Sequence, residues 1–209
     1  MSWLNFFDAI YVINLDKRTD RLLQITEDFE KYKIPFERVQ AIDHHNGAEG
    51  LRLTVEALFM KSLSQGHKNI LVFEDDCEIV VPEPIFNSTM GEVVKQAPEN
   101  YVMLFLGCQL TGGATHFFSP NIVAGHKMYS THAVMYSERG MKEVLASQLK
   151  SPIDNHYVDF VEPLGASYCT YPLLCSQRAG KSDIGGQYID WAPFILPRYE
   201  QKINEMRSR

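Results

Sequence analysis

The sequence has no CxxC pair, no internal repeat, no low-complexity linker and no block of basic residues. It also lacks any apolar run near the roughly 18 residues that a membrane-crossing helix needs. Each absence removes a class. Cys77, Cys108, Cys169 and Cys175 stand singly inside apolar stretches, which predicts buried free thiols in a reducing compartment, not a metal knuckle or a disulfide framework. The opening MSWLNFFDAIYVINLDKR has neither a basic leader nor a small-residue cleavage site. It reads as a first strand, not a signal peptide, and points to the cytoplasm. With 26 acidic against 20 basic side chains the net charge is -6, which argues against non-specific nucleic-acid binding. A local basic pocket is still compatible with that balance.

What is present fits one domain over residues 1–209, since 45% of the chain is apolar. Residues 9–15 (AIYVINL), 69–73 (NILVF) and 101–106 (YVMLFL) are near-continuous apolar runs, the pattern of strands buried on both faces. Residues 36–42 read as a further strand. Helical spacing marks residues 18–32, with Thr19 or Asp20 as cap, 50–65, closed by Gly66, and 85–96. The alternation specifies an α/β domain with a mainly parallel sheet. Ligands of such sheets bind beyond the carboxyl ends of the strands. Asp16, Asp43, Glu74, Asp75, Asp76 and Gly107 all fall there.

Beyond Gly107 the pattern loosens. Residues 109–125 hold Gly112, Gly113, Phe117 and Phe118 and read as an irregular loop able to close over a ligand. A strand is expected at 129–136, a helix at 137–149 capped by Ser137, a short helix at 154–160 and a strand at 167–171. Tyr188, Trp191 and Phe194 are read chiefly as core, with a sugar-binding groove or a peripheral membrane contact as alternatives. The polar tail 198–209 is expected to fray.

Three consecutive acids after a buried strand, Glu74-Asp75-Asp76, need a cation between them or solvent around them. Hard oxygen ligands at a strand end suit Mg²⁺ or Mn²⁺; the plainer reading is a solvated acidic turn. Asn14, Asp16, Arg18 and Arg21 crowd the first strand-to-helix turn. The two arginines suit a phosphate or a nucleobase edge, or else pair with Asp16 and Asp20. Asp43 can accept from a base N–H or a ribose hydroxyl.

The segments YVINLDKRTDR, AIDHH, ILVFEDDCEI, MLFLG, THAVMYSERGM, PIDNHYVD and YPLLCSQRAGKSDI occur in the order of glycosyltransferase family 25. The chain resembles that family over roughly residues 9–184. Its members include lipooligosaccharide and collagen hydroxylysine galactosyltransferases. The resemblance implies a GT-A fold, a UDP-sugar donor, Mn²⁺ dependence and transfer with inversion. It sets Glu74-Asp75-Asp76 in the place of the family's DXD-like metal motif. Asp154 matches its P-x-D aspartate, Asp183 its S-D aspartate and His132 its T-H histidine. The family's G-C-x-x-S-H-like segment is here Gly50-Leu51-Arg52-Leu53-Thr54-Val55, which keeps a hydroxyl and loses the histidine.

On this basis Asp75, Asp76 and His132 are expected at the metal, and Asn14, Asp16, Arg18, Arg21, Asp43, Glu74 and Gly107 at the nucleotide-sugar. Asp154 is the expected general base, with Asp183 second and a helix cap as the plainer role for Asp154. His132 reads equally as a core histidine, while His44, His45 and His126 are lesser candidates for metal or donor. Residues 1–107 would form the nucleotide-sugar half and 108–197 the acceptor half, for a glycan or lipid-linked oligosaccharide. A sugar-phosphate nucleotidyltransferase would carry a Gly-rich phosphate loop after the first strand, where DKRTDR stands instead. A non-catalytic sugar-nucleotide binding protein is the other alternative.

Overall fold

The computed structural model describes residues 2–208. Met1 and Arg209, the outermost residues of the N-terminal run and of the polar tail, lie outside the described residues. The first half is built from β1 (Ala9–Asn14), α1 (Thr19–Tyr32), β2 (Glu37–Gln40), α2 (Gly47–Ser64), β3 (Asn69–Glu74), β4 (Cys77–Ile79), α3 (Glu83–Gln96) and β5 (Met103–Phe105). The second half adds β6 (Gln109–Ser119), β7 (Ile122–Tyr129), β8 (Ala133–Ser137), α4 (Glu138–Ala146) and α5 (Ile153–His156). It ends in β9 (Ser167–Thr170), β10 (Cys175–Gln177), β11 (Gly180–Lys181), β12 (Tyr188–Ile189) and α6 (Ala192–Arg207).

Eight strands form one sheet in the order β2-β1-β3-β8-β5-β9-β7-β6. β1 pairs in parallel with β2 and β3, and β5 with β9, while β8 and β7 are antiparallel to their neighbours. Six of the eight therefore run one way, the mainly parallel α/β arrangement expected from the sequence. Alternate side chains serve two cores. Tyr11, Ile13, Ile70 and Val72 pack on one face with Val55, Leu58, Phe59, Met141, Ile195 and Tyr199. Ile10, Val12, Leu71 and Phe73 pack on the other with Ile25, Phe29, Phe86 and Met90. Burial on both faces is why these strands read as unbroken apolar runs. All four cysteines are free and buried.

Local chemistry sets the helix starts. Asn46 caps α2 by accepting from the Ala48 and Glu49 amides, so the helix begins at Gly47, earlier than its apolar spacing suggests. α1 has Arg18 at its cap position and no side-chain cap bond, so neither Thr19 nor Asp20 caps it. Ser137 caps α4 through the Gly140 amide, as expected.

Three expectations fail in the second half. Residues 109–125 are not an irregular loop but most of the β6–β7 hairpin, whose register shifts between Leu110 and Gly113, Ala114 and His116, and Phe117 and Ser119. Such bulges break the alternation by which a strand is recognised. The tail does not fray within the described residues: α6 buries Ile195, Tyr199 and Ile203 four residues apart, and the Tyr199 hydroxyl donates to the Thr170 carbonyl at 2.6 Å. Tyr188 and Phe194 are exposed and not core, because the short β11–β12 pair and the start of α6 run over the surface. No helix among the described residues is long and apolar enough to cross a membrane.

Candidate active site

A cleft of ≈730 Å³, counting its open mouth, lies beyond the carboxyl ends of β1, β2 and β3. Asn14, Arg21, Asp43, Glu74, Asp75, Asp76 and Asp183 line it together with Gln177 and Ser182, and Ile13, Ala41, Ile42, Leu51 and Ile184 make its apolar part. The ends of all three strands meet here because β1 runs between β2 and β3.

Arg21 enters from the first turn of α1 and reaches under the acidic triplet. Its Nη1 is 3.0 Å from Asp75 Oδ1 and 3.4 Å from Asp76 Oδ2, while Nη2 donates to the Lys181 carbonyl at 2.8 Å. Asp75 Oδ2 also accepts from the Asn14 amide at 2.7 Å. Burial raises the Asp75 carboxyl above its ordinary range, and Arg21 and Asn14 oppose that rise. Asp76 Oδ2 accepts from Gln177 at 3.0 Å, but its Oδ1 is buried and has no hydrogen-bond partner among the described residues.

A second pair of carboxylates stands behind the triplet. β8 inserts between β3 and β5, and the Glu74 amide bonds the His132 carbonyl, which sets Thr131 against Glu74. The Thr131 hydroxyl donates to Glu74 Oε1 at 2.6 Å and lies 3.5 Å from Asp154 Oδ1. Asp154 Oδ2 accepts the Ser130 amide at 2.8 Å. That bond holds Ser130 at φ +74°, a left-handed conformation that side chains resist. Burial, then the charge of Asp76, pushes Glu74 up to about 8. Burial also raises Asp154. The His132 ring is buried, with the Cys175 backbone beside it and no well-formed hydrogen bond at either nitrogen among the described residues; burial lowers it to about 4, against the pull of Asp76 and of Cys175. It is therefore neutral at pH 7.

The predicted residues fall into three groups. Asn14, Arg21, Asp43, Glu74, Asp75, Asp76 and Asp183 share the cleft. Asp154 and His132 lie behind it, among the neighbours of Glu74 and Asp76. Asp16, Arg18 and Gly107 are not in its wall. Asp16 is exposed and bonded to Arg38 and Gln40 at 2.5 and 2.6 Å. Arg18 pairs with Asp20 at 2.9 Å and with Asp183. Gly107 is a packing glycine: a Cβ there would strike the Cys175 carbonyl and the His132 ring. Asp154 does not cap α5, whose cap position is Pro152. His44 lines the cleft with its Nδ1 turned to Asn46, His45 stacks beside it, and His126 lies on β7 away from it. The hairpin read as a lid contributes nothing to the cleft wall.

Lys17, Gly47, Gln177, Ser182 and Thr131 went unread in the sequence. Lys17 pairs with Asp43 at 2.7 Å. Gly47 admits the hairpin of β11 and β12, since a Cβ would strike the Asp183 carbonyl. Gln177 reaches Asp76 only because β10 pairs with β4. The Thr54 hydroxyl, kept where the family-like segment loses its histidine, accepts the Ile42 amide at 2.8 Å and so fixes the turn before Asp43. Val55, at the histidine's place, is buried in the core.

Among the described residues no group of three or more His, Cys, Asp or Glu is arranged to hold a metal ion. Arg21 accounts for this in part, because it takes up oxygens of both Asp75 and Asp76. The orphaned Asp76 Oδ1 and one ring nitrogen of His132 nonetheless suit a divalent cation whose other ligands come from a bound phosphate or water.

No curated protein matches the chain. Among solved structures, a glycosyltransferase involved in the glycosylation of the major capsid of PBCV-1 is similar over 96% of this chain and 100% of that one, at 10% identity and a TM-score of 0.51. A197 from STIV is similar over 86% and 91%, at 9% identity and a TM-score of 0.51. At such identities the likeness concerns the fold. The family model of glycosyltransferase family 25 (LPS biosynthesis protein) matches residues 7–65. That match covers the stretch that builds β1, α1, β2 and α2, and with them one wall of the cleft.

Proposed function

We propose that the protein is a metal-dependent inverting glycosyltransferase that moves a hexose, galactose or glucose, from a UDP-sugar to a hydroxyl of a glycan or lipid-linked oligosaccharide. The observation that carries this reading is the convergence of Asn14, Asp43 and the Glu74–Asp76 triplet on one cleft, at strand ends contributed in part by the family 25 stretch. In the proposal Asp43 accepts from the base or ribose, and the apolar part formed by Ile13, Ala41, Ile42 and Leu51 covers the nucleoside.

Asp76 and His132 would hold Mn²⁺ or Mg²⁺, with Asp75 adding charge from beside them. When bound, the ion would neutralise the diphosphate leaving group. Glu74 supports this shell through Thr131. Inversion needs one base to take the proton of the acceptor hydroxyl. Asp183 is poorly placed for that task because Arg18 and Arg21 both engage its Oδ2. Asp154 is half-buried, keeps Oδ1 free of any short hydrogen bond, and is raised by burial, which strengthens it as a proton acceptor. It is the proposed base.

The test is a screen of UDP-sugars for turnover, joined to UDP titrations with and without Mn²⁺. Turnover of a UDP-hexose and metal-coupled UDP binding are expected. UDP binding without turnover of any UDP-sugar would favour a non-catalytic binding protein, and UDP binding indifferent to Mn²⁺ would remove the metal from the proposal.

A further inference from the structure

Arg21 is a charged residue of the cleft wall that the proposed chemistry leaves unused. One guanidinium faces three carboxylates and a carbonyl: Nη1 is 3.0, 3.4 and 3.7 Å from Asp75, Asp76 and Asp183, and Nη2 bonds Lys181. Its side chain is only 11% exposed, so solvent screens these contacts weakly. Adjacent carboxylates such as Asp75 and Asp76 repel unless a cation lies between them. Here that cation is already part of the chain.

A divalent ion at Asp76 would neutralise the same negative charge, and it would repel the guanidinium beside it. The two cations are therefore alternatives as long as the cleft holds no other anion. A diphosphate changes this balance, because it brings new negative charge and oxygens matched to a guanidinium fork. Arg21 then has a partner to which it can turn without leaving its place at the start of α1. Arg18 cannot play this part, because it is not in the cleft wall and is held by Asp20 and Asp183.

We propose that Arg21 is the resident counter-cation of the acidic triplet and a positioning residue that makes metal binding depend on the donor. In the donor-free cleft it holds Asp75 and Asp76; when the metal and donor enter, it exchanges those carboxylates for the diphosphate. This rests on the metal and UDP-sugar reading above. Two signatures of opposite sign follow on removing the guanidinium. The metal alone binds more tightly, while UDP in the presence of metal binds more weakly. A merely structural arginine would weaken both.

The experiment measures Mn²⁺ binding from the electron paramagnetic resonance of the free ion, and UDP binding by calorimetry, for the wild type and Arg21→Met, with folding checked by circular dichroism. In the wild type UDP should tighten Mn²⁺ by about tenfold or more, within the usual range of coupling between sites. Arg21→Met should bind Mn²⁺ alone about tenfold more tightly than the wild type, and UDP with saturating Mn²⁺ about tenfold less tightly. A folded Arg21→Met with unchanged or weaker Mn²⁺ binding, or with unchanged UDP binding, overturns the exchange and leaves the metal reading intact. If Arg21→Met does not fold, Arg21→Lys decides. A lysine lacks the planar fork that meets the aspartates and the Lys181 carbonyl together, so the same two opposite shifts are expected at about threefold, and their absence overturns the proposal. A wild type that binds no Mn²⁺ even with UDP overturns the metal reading, and this inference with it.

Discussion

The cleft-facing carboxylates and those behind them solve one electrostatic problem in two ways. Asp75, Asp76 and Asp183 are offset by the guanidiniums of Arg21 and Arg18. Glu74 and Asp154 have no arginine or lysine within ion-pair distance among the described residues, and are offset by the Thr131 hydroxyl, the Ser130 amide and, at Glu74, retention of a proton. The contrast bears on use. An ion pair can be exchanged for another ion pair, which suits carboxylates meant to meet a metal or a phosphate. A carboxyl raised by burial responds instead to protons, which suits a group meant to accept one.

Asp154→Asn should test the rear pair with the largest effect. Turnover should fall by about 10²–10⁴-fold, the usual worth of a general base, while UDP affinity with Mn²⁺ stays at the wild-type value. Normal turnover would remove Asp154 from the role. Asp76→Asn should weaken UDP binding in Mn²⁺ by about 10–100-fold, the scale at which metal-site changes act, and calorimetry should find UDP binding the same with and without the ion. Asp75→Asn should cost less, because its oxygens are already satisfied by Asn14 and Arg21. Equal losses in the two variants would erase the division between them.

The proton-offset side carries a pH signature. Glu74 is held at about 8, above its ordinary 4.5, so the folded state keeps a proton that the unfolded chain gives up. Its contribution to stability is complete below about 4.5 and is lost as pH rises through about 8. Glu74→Gln keeps an acceptor for Thr131 and cannot ionise. Its melting temperature, read by calorimetry without metal or donor, should exceed the wild type's at pH 9 by about 2–4 °C per kcal/mol recovered. At pH 5 the two should agree. A wild type with no excess loss of stability between pH 5 and 9 relative to this variant would contradict the assignment. The smallest effect belongs to Asp183→Asn, which loosens the hold of Arg18 on the hairpin of β11 and β12. Amide exchange over residues 180–189 should quicken by about tenfold or less, with the core amides unchanged.

How far each region could be read in the sequence follows from what holds it together. β1 and β3 announced themselves because both faces are buried, and α1 and α2 because their apolar stripes recur every third or fourth residue. The same logic exposed the acidic triplet, since three charges after NILVF cannot continue a buried strand. The hairpin of β6 and β7 stayed hidden because its bulges shift the alternation three times. The long α6 stayed hidden because Ile195, Tyr199 and Ile203 are few among polar neighbours. Arg18 and Arg21 looked alike in the turn, yet one points to Asp20 and the other to Asp75 and Asp76, a difference set by the direction in which α1 leaves the sheet. Gly107 looked like a ligand glycine and proved to be spacing for a histidine ring.

Sequence alone determined the α/β class, the resemblance to glycosyltransferase family 25 and the carboxyl-end position of Asp43 and Glu74–Asp76. These rest on local periodicity and on short motifs, which need no knowledge of neighbours. Only the tertiary structure decided which cation meets the triplet, that Gln177 reaches Asp76, and that Thr131 joins Glu74 to Asp154. Those contacts join residues from 23 to 101 positions apart, and they exist because β8 and β10 are returned to the ends of β3 and β4 by pairings that the chain order does not announce.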